Sequence, residues 1–260
     1  KNSIKNIDSG VINNFQLEKN NELDLYFEHI QKLISPEKIN SKIKFGVDGG
    51  NGAIGSIFND LDNIYSFNCD QLYMEVDGNF PNHPADPSNL DNLQEIIKLV
   101  QDNNLDFGVA FDGDADRAVF IDDAGKVVSG SMMTTLIADY LSEKNHNLKV
   151  VYNVNVSPHA LSILKSKGVS LFRCKVGHSN IKALMKKLEA DFGGEHSAHF
   201  YYKDNYFADS AILTLLMLMS IVSERGEKVS SMIDKYNFPP SSGEINFTVE
   251  DVNISLDKIK

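Results

Sequence analysis

The sequence predicts an α/β protein built from two successive mixed α/β domains, in which helices pack on both faces of small sheets to give three layers. Short apolar runs of strand length alternate with segments of helical spacing along most of the chain. This alternation occurs on both sides of residue 126. With 260 residues, the chain is long enough for two domains with substantial cores.

In the first unit, predicted over residues 21–126, a helix spans residues 23–34 and Pro36 limits its extension. The following elements are a strand over 43–47, a helix over 90–100 and two apolar strands that bracket residues 112–117. Residues 1–20 are polar, rich in Asn and without clear periodicity, which is typical of a linker or of the remnant of another domain.

The second unit is predicted over residues 127–238. Its expected helices and strands alternate: helix 131–142, strand 150–156, helix 158–166, strand 169–172, helix 181–188 and a buried helix over 211–222. After Pro239 and Pro240 the pattern changes, and residues 243–249 are predicted to form a strand that begins a further domain over 239–260.

Composition favours a cytoplasmic, soluble enzyme. The 25 basic and 36 acidic residues give a formal charge of −11, which argues against binding to nucleic acid or to an anionic membrane. Cys69 and Cys174 are too few and too far apart for a disulfide framework or a zinc cluster. No signal peptide is visible at the start, and the apolar stretch 211–222 is too short to span a bilayer.

The most informative segment is the acidic loop at residues 112–117, Asp-Gly-Asp-Ala-Asp-Arg. Two unit charges about 4 Å apart repel by about 4 kcal/mol at an effective dielectric of about 20. Three converging carboxylates therefore require a cation, and their hard oxygens suit Mg²⁺ or Ca²⁺. Asp112, Asp114 and Asp116 are the predicted ligands; the alternative is a solvated acidic turn.

Two other known motifs share features with this loop. An EF-hand would require Gly at its sixth position and Glu at its twelfth, where the chain has Arg117 and Asp123. An Asp-x-Asp start after an apolar strand is also typical of haloacid-dehalogenase-type phosphatases, with Asp112 as nucleophile. Asp116 stands near the place where Thr or Val is expected, which weakens this alternative without removing it.

A glycine-rich segment at residues 48–55 contains Gly-x-Gly-x-x-Gly from Gly50 to Gly55. A dinucleotide site would also need a strand ending in an acid about 20 residues later. Asp70 lies near that distance, but the segment before it is only weakly strand-like. The glycines are therefore predicted to form a tight turn between a strand and a helix.

Polar residues in the second unit suggest a hydroxyl-binding site. Glu195, Ser197 and His199 alternate after two glycines, so in an extended segment their side chains would project to one side and offer acceptors and donors to sugar hydroxyls. The alternative is a half-exposed strand with a wet face. Lys175 and His178 could bind a phosphate or hydroxyls near the start of a helix, unless Ser179 is an ordinary helix cap.

These segments occur together with two others, residues 47–52 and 80–87, in one order along the chain. The acidic loop is similar to a metal-binding loop, residues 194–199 to a Gly-Glu-x-Ser-Gly/Ala-His sugar-recognition loop, and residues 175–182 to a Lys-x-Gly-His-Ser segment. All five resemble the α-D-phosphohexomutases, the family of phosphomannomutases and phosphoglucomutases.

The resemblance implies a reaction and a set of roles. The enzymes interconvert hexose 1-phosphates and hexose 6-phosphates, of mannose or glucose, through a 1,6-bisphosphate, with Mg²⁺ as cofactor. The implied metal ligands are Asp112, Asp114 and Asp116; the implied catalytic residues are Arg117, Lys175 and His178; and the implied sugar-binding residues are Glu195, Ser197 and His199. A Lys that the family often carries before the first helix of its third domain is replaced by Asn155.

The resemblance covers domains two and three and the start of domain four. The catalytic serine motif of domain one and the phosphate-binding loop of domain four are not found in these 260 residues. The chain is therefore expected to be a fragment that is inactive alone. Two alternatives stay open: a dehalogenase-type phosphatase, and a non-catalytic module that binds Mg²⁺ or sugar phosphates.

Overall fold

The first half of the chain folds into a five-stranded mixed sheet with the strand order β2-β1-β3-β4-β5. Strands β1 and β2, and β1 and β3, pair in parallel, whereas β3 with β4 and β4 with β5 are antiparallel. The strands are β1 (Lys44–Asp48), β2 (Asn68–Leu72), β3 (Phe107–Phe111), β4 (Ala118–Asp122) and β5 (Val127–Val128). This computed structural model describes residues 22–240, 248–249 and 251–259.

The described part of the first half contains three helices, of which the third packs directly on the sheet. They are α1 (Glu22–Leu33), α2 (Phe58–Tyr65) and α3 (Gln94–Asn103), with short 3₁₀ turns at Pro36–Lys38, Ala53–Ser56 and Leu90–Leu93. Helix α3 lies on β1 and β3, where Ile96 and Val100 are fully buried. Phe45 and Phe107 point to the opposite face and stack with ring centroids 5.2 Å apart. The helix predicted over 90–100 is thus a 3₁₀ turn followed by α3.

The second half repeats the same architecture. Its sheet has the order β10-β9-β8-β6-β7, in which β6 pairs in parallel with β7 and β8, and β8–β9 and β9–β10 are antiparallel. The strands are β6 (Lys149–Asn153), β7 (Ser170–Cys174), β8 (Phe192–Gly194), β9 (Phe200–Tyr202) and β10 (Ala208–Asp209). Read as β7-β6-β8-β9-β10, this order is that of the first sheet, a repetition that the sequence did not reveal.

Helices cover both faces of the second sheet. They are α4 (Gly130–Lys144), α5 (Pro158–Ser166), α6 (His178–Leu188), α7 (Ala211–Arg225) and α8 (Val229–Asp234); α9 (Val252–Ile259) follows near the end. A Cβ added at Gly193 would lie 2.8 Å from Met185 Sδ of α6, and one at Gly194 would lie 2.3 Å from Thr134 Oγ1 of α4. Successive strand residues face opposite sides, so α6 and α4 sandwich the sheet and confirm the predicted three layers.

A continuous hydrophobic core joins the two halves. It includes Phe45 and Phe107 of the first sheet, Phe192 of the second, and buried side chains along α4 and α7. Helix α7, predicted as a buried helix, is buried along most of its length and contacts both β4 and α4. Across the ranges that the structure describes, no helix combines the length and the apolar character needed to cross a bilayer.

Two local predictions differ from the structure, and two others fall on residues that it does not describe. The segment around Asp70, which is only weakly strand-like in sequence, forms strand β2. With β1 and α2 it builds a parallel strand–helix–strand unit. The strand predicted over 150–156 ends at Asn153, because the Asn153 side chain accepts a hydrogen bond from the Asn155 backbone N–H and turns the chain. Residues 1–20, and residues 243–247 of the strand predicted over 243–249, lie outside the described residues.

Candidate functional site

The acidic loop connects β3 to β4 and curls around the Asp112 side chain. Asp112 Oδ1 accepts hydrogen bonds from the backbone N–H groups of Asp116 and Arg117, both at 3.1 Å. The Ala115 N–H donates to the Asp112 carbonyl at 3.2 Å, and Ala115 adopts a left-handed conformation with φ of 60°. Asp112 is therefore fixed by the loop's own backbone and only 3% exposed.

The predicted metal ligands converge. One carboxylate oxygen from each of Asp112, Asp114 and Asp116 can lie within 4.8 Å of the others. Asp114 is exposed and Asp116 is partly buried. Burial, assisted by the charges of Asp112 and Asp114 and opposed by His199, raises the pKa of the Asp116 carboxyl to about 6. The three carboxylates repel one another, which favours uptake of a proton or a cation. Their hard oxygens fit a divalent cation such as Mg²⁺.

Arg117 is the cation already present at this loop. Its Nε donates to Asp112 Oδ2 at 2.7 Å, and its terminal nitrogen lies 3.2 Å from Asp86 Oδ1. Asp86 belongs to the segment 80–87, which also reaches the end of β1 through His83 Nε2, 3.0 Å from Asp48 Oδ2. Residues 80–87 therefore brace the acidic loop, a role that the sequence did not assign to Asp86.

Asp112 is poorly placed to act as a phosphatase nucleophile. Its Oδ1 accepts two backbone hydrogen bonds and its Oδ2 is paired with the Arg117 guanidinium. These interactions stabilise the carboxylate and lower the nucleophilicity of its oxygens. The geometry thus disfavours the dehalogenase-type alternative.

The predicted sugar loop is a tight turn between β8 and β9. The Ala198 N–H donates to the Glu195 carbonyl at 3.2 Å, the Glu195 N–H to the His199 carbonyl at 3.1 Å, and Ala198 has φ of 69°. The prediction of an extended segment was therefore wrong. The turn nevertheless brings the three predicted side chains together: His199 Nδ1 lies 3.1 Å from Ser197 Oγ and 3.5 Å from Glu195 Oε2.

Glu195 is the most enclosed of these side chains, with 3% exposure. Asn153 Nδ2 donates to Glu195 Oε1 at 2.7 Å, and the Tyr201 hydroxyl donates to Oε2 at 2.7 Å. Burial and the adjacent Glu195 raise the pKa of Tyr201 far above its ordinary value, so this hydroxyl stays protonated and donates. No pattern in the sequence indicates Asn153 or Tyr201 as a partner of Glu195.

The acidic loop and the sugar loop meet directly. Arg117 and His199 form an antiparallel backbone bridge, and the Ala118 N–H donates to the Ala198 carbonyl at 3.3 Å. His199 Nε2 lies 3.4 Å from Asp116 Oδ1. The two loops, predicted separately, therefore form one continuous polar surface across both halves of the chain.

A second group of potential metal ligands shares this junction. Asp116, His199 and Asp209 can place one ligand atom each within 4.8 Å of the others. Lys182 Nζ already lies 2.7 Å from Asp209 Oδ1, so Asp209 is neutralised by a cation of the chain itself. The acidic loop sets three carboxylates against the single Arg117 guanidinium, so it keeps more negative charge than this group and is the better cation site.

Lys175 and His178 lie apart from this surface in the described part of the chain. His178 begins α6, close to the predicted helix start, after Gly177 with φ of 117°. Both side chains are exposed, and neither makes a hydrogen bond or ion pair with the acidic loop or the sugar loop in the described residues. Asn155 is likewise exposed, at the end of β6.

The glycine-rich segment does not form a phosphate cradle. A Cβ at Gly55 would lie 1.8 Å from the Met74 carbonyl oxygen, and one at Gly52 would lie 2.8 Å from that of Gly113. The chain's own backbone fills the space that a nucleotide phosphate would need. The Gly52 N–H donates to the Gly49 carbonyl, which confirms the predicted tight turn.

Comparison with known families agrees with this geometry. A family model described as "Phosphoglucomutase/phosphomannomutase, alpha/beta/alpha domain II" matches residues 24–125. A second, described as "Phosphoglucomutase/phosphomannomutase, alpha/beta/alpha domain III", matches residues 129–237. The two matches contain the acidic loop and the sugar loop, respectively.

Individual relatives give the same result. A phosphomannomutase of Methanocaldococcus jannaschii is 35% identical over 217 residues, which are 84% of this chain and 48% of that protein. A phosphoglucomutase/phosphomannomutase family protein from Burkholderia thailandensis superposes with a TM-score of 0.75 at 30% identity, over 80% of this chain and 45% of that chain. The chain spans about half the length of the curated relatives it matches.

A more distant structure shares the fold alone. An N-acetylphosphoglucosamine mutase from Aspergillus fumigatus, solved with GlcNAc-6P and magnesium, superposes with a TM-score of 0.63 at 14% identity, over 80% of this chain and 52% of that chain. Two family matches that together cover most of the chain, and relatives above 30% identity, show the family directly. The chain therefore belongs to the α-D-phosphohexomutases, the family of phosphoglucomutases and phosphomannomutases.

Proposed function

We propose that this chain supplies the metal-binding and sugar-binding regions of a phosphohexomutase that interconverts hexose 1-phosphates and hexose 6-phosphates of mannose or glucose through a 1,6-bisphosphate. The observation that carries the proposal is the junction of the two loops, where His199 lies 3.4 Å from Asp116 and 3.1 Å from Ser197. Residues 21–126 and 127–238 would be the two corresponding domains. Such an enzyme is an intramolecular phosphotransferase.

Magnesium is the proposed cofactor, with Asp112, Asp114 and Asp116 as its ligands. The three-carboxylate donor set supports this assignment, as does the magnesium bound to the Aspergillus relative. When bound, the ion would offset negative charge on the phosphoryl group during transfer. Arg117, whose Nε donates to Asp112 Oδ2 at 2.7 Å, would hold Asp112 in place.

Hexose phosphates are the proposed ligands of the sugar loop. Glu195 offers acceptors, Ser197 a hydroxyl and His199 a ring nitrogen, and these groups suit neighbouring hydroxyls. The sugar phosphate bound to the Aspergillus relative agrees with this ligand class. Lys175 and His178, both exposed near the start of α6, are proposed to contact a part of the ligand that extends beyond the two loops.

Nuclear magnetic resonance titration tests the site. Adding glucose 1-phosphate or mannose 1-phosphate with Mg²⁺ to the isotope-labelled chain should shift the resonances of residues 194–199 and 175–179. Shifts confined to residues 50–55 would instead indicate a nucleotide-type pocket and refute the proposal.

A turnover assay separates the proposal from its alternatives. No serine in a Ser-His-Asn-Pro-type motif is present in the 260 residues, so the chain should not convert hexose 1-phosphates even with Mg²⁺ and added 1,6-bisphosphate. Phosphate release that disappears in Asp112→Asn would favour the dehalogenase-type alternative. In a longer protein that contains this chain and a phosphorylated serine, Asp112→Asn should severely reduce turnover.

A further inference from the structure

The buried Glu195 carboxylate is held by two donors that come from outside its loop. Asn153 lies at the end of β6, and Tyr201 lies in the middle of β9. Each donates one hydrogen bond of 2.7 Å, to Oε1 and Oε2 respectively. Asn153 is 1% exposed and Tyr201 is fully buried, so neither donor is in contact with bulk water.

Neighbouring groups orient each donor toward Glu195. Asn153 Oδ1 accepts from the Asn155 N–H at 3.2 Å, which directs the Nδ2 group toward Glu195. Tyr201 pairs with Gly193 across β8 and β9, and a Cβ added at Gly193 would come 3.2 Å from the Tyr201 Cβ. Lys182 Nζ and the His199 ring, 5.8 and 6.4 Å from the Tyr201 ring, pack beside it. Both donors are therefore fixed before any ligand arrives.

The Glu195 carboxylate keeps acceptor positions that a ligand could use. Among the described residues, no Lys or Arg forms an ion pair with Glu195, and only His199 approaches, at 3.5 Å. A carboxylate has about four acceptor positions, and the two neutral donors occupy one on each oxygen. The remaining acceptor capacity suits the hydroxyl donors of a bound sugar.

We propose that Tyr201 and Asn153 are positioning residues that hold the Glu195 carboxylate in the orientation in which it accepts hydrogen bonds from the hydroxyl groups of a hexose phosphate. The proposal rests on the proposed function and deepens it. A carboxylate that is held in place before binding loses less entropy when the sugar hydroxyls bind than one that is free to rotate. The two donors should therefore raise the affinity for the sugar.

The adjacent Tyr202 provides a matched control. It is also a buried tyrosine of β9 with one side-chain hydrogen bond, but its hydroxyl faces Thr214 Oγ1 at 2.9 Å. Tyr201→Phe and Tyr202→Phe each remove one buried hydroxyl and should lower thermal stability to a similar degree. Only the first removes a donor from Glu195.

Two measurements on the 260-residue chain test the proposal. In the ligand-free chain, the carboxyl carbon-13 resonance of Glu195 should move in Tyr201→Phe and in Asn153→Ala but stay in place in Tyr202→Phe. With Mg²⁺ present, the dissociation constant for glucose 1-phosphate should rise about tenfold in the two positioning variants and less than about twofold in Tyr202→Phe. The constant for inorganic phosphate, which lacks the hexose hydroxyls, should not change in any variant.

Each unexpected result has one meaning. An unmoved Glu195 resonance in Tyr201→Phe, or equal losses of glucose 1-phosphate affinity in Tyr201→Phe and Tyr202→Phe, overturns the positioning role. Parallel losses for glucose 1-phosphate and inorganic phosphate do so as well, because they indicate a general structural defect. The parent chain could also bind no hexose phosphate although the Glu195 resonance responds as expected. In that case the proposed function fails, and Glu195 is held in place but does not bind sugar hydroxyls.

Discussion

The acidic loop and the sugar loop occupy equivalent places in two sheets with the same strand order. Each joins the third strand of that order to the fourth, and each begins with a carboxylate directly after a strand, Asp112 after β3 and Glu195 after β8. In both, the backbone N–H of an alanine three residues later donates to the carbonyl of the acidic residue at 3.2 Å, and that alanine is left-handed. One turn geometry is therefore used twice.

The two loops differ in the groups that bind the buried carboxylate. Asp112 is paired with the Arg117 guanidinium and followed by two more carboxylates, whereas Glu195 accepts from the neutral groups of Asn153 and Tyr201. The first arrangement concentrates negative charge and suits a cation. The second leaves a single charge with free acceptor positions and suits hydroxyl donors. The side chains around a common turn thus determine the class of ligand.

Asp114→Ala should have the largest effect, on the affinity for a divalent cation. It removes an exposed metal-ligating carboxylate from the acidic loop without disturbing the turn. Calorimetric titration with Mg²⁺ or Mn²⁺ should detect one site in the parent, with an affinity about 100-fold lower in the variant, since even residues behind metal ligands typically contribute about 10- to 100-fold. Asp102→Ala, at an exposed position on α3, is the control and should bind like the parent. Equal affinities in Asp114→Ala and the parent would refute the ligand assignment.

Gly194 and Gly113, one in each loop region, differ in the room that they leave for a side chain. Gly194→Ala would place its Cβ 2.3 Å from Thr134 Oγ1, whereas the nearest atom to a Cβ at Gly113 is 3.6 Å away. Urea unfolding should show a loss of about 1–3 kcal/mol in the free energy of unfolding for Gly194→Ala. Gly113→Ala should stay within about 0.5 kcal/mol of the parent. Similar losses in both variants would contradict the view that Gly113 has room for a Cβ and Gly194 does not.

The pH dependence of metal binding probes the acidic loop alone. Because the pKa of Asp116 is raised to about 6 in the folded chain, the metal-free protein should lose stability as the pH rises from about 4 through about 6. Mg²⁺ competes with the proton, so its affinity should fall below about pH 6. Calorimetry near that pH in two buffers of different ionisation enthalpy should detect proton release on binding, and its absence would exclude Asp116 as a ligand.

Ser197→Ala should have the smallest effect on stability. Ser197 is exposed, and its hydroxyl lies 3.1 Å from His199 Nδ1, so the free energy of unfolding should change by less than about 0.5 kcal/mol. Its affinity for hexose 1-phosphates should nevertheless fall about two- to tenfold. Ser166→Ala, at an exposed helix end, should change neither quantity. An unchanged affinity in Ser197→Ala would remove this residue from the proposed site.

The sequence predicted what depends on local pattern. The acidic loop was recognisable because its three carboxylates are close in the chain and bracketed by apolar strands, and helix 158–166 was predicted with the bounds that the structure has. The turn at Glu195 was missed because a left-handed Ala198 has no marker in sequence, unlike a glycine. Asn153 was missed as a partner of Glu195 because the two residues are 42 positions apart and meet only when β6 pairs with β8.

The hydrophobic core that joins both sheets has a consequence for how the chain unfolds. Because α7 is buried against β4 of one sheet and α4 of the other, neither half can lose its packing without exposing apolar surface of its neighbour. The amide protons of β3 and β8 are therefore expected to exchange with deuterium through one shared opening event. The two loops would then unfold together as one cooperative unit. A partly unfolded state in which only one of them keeps its structure would not accumulate.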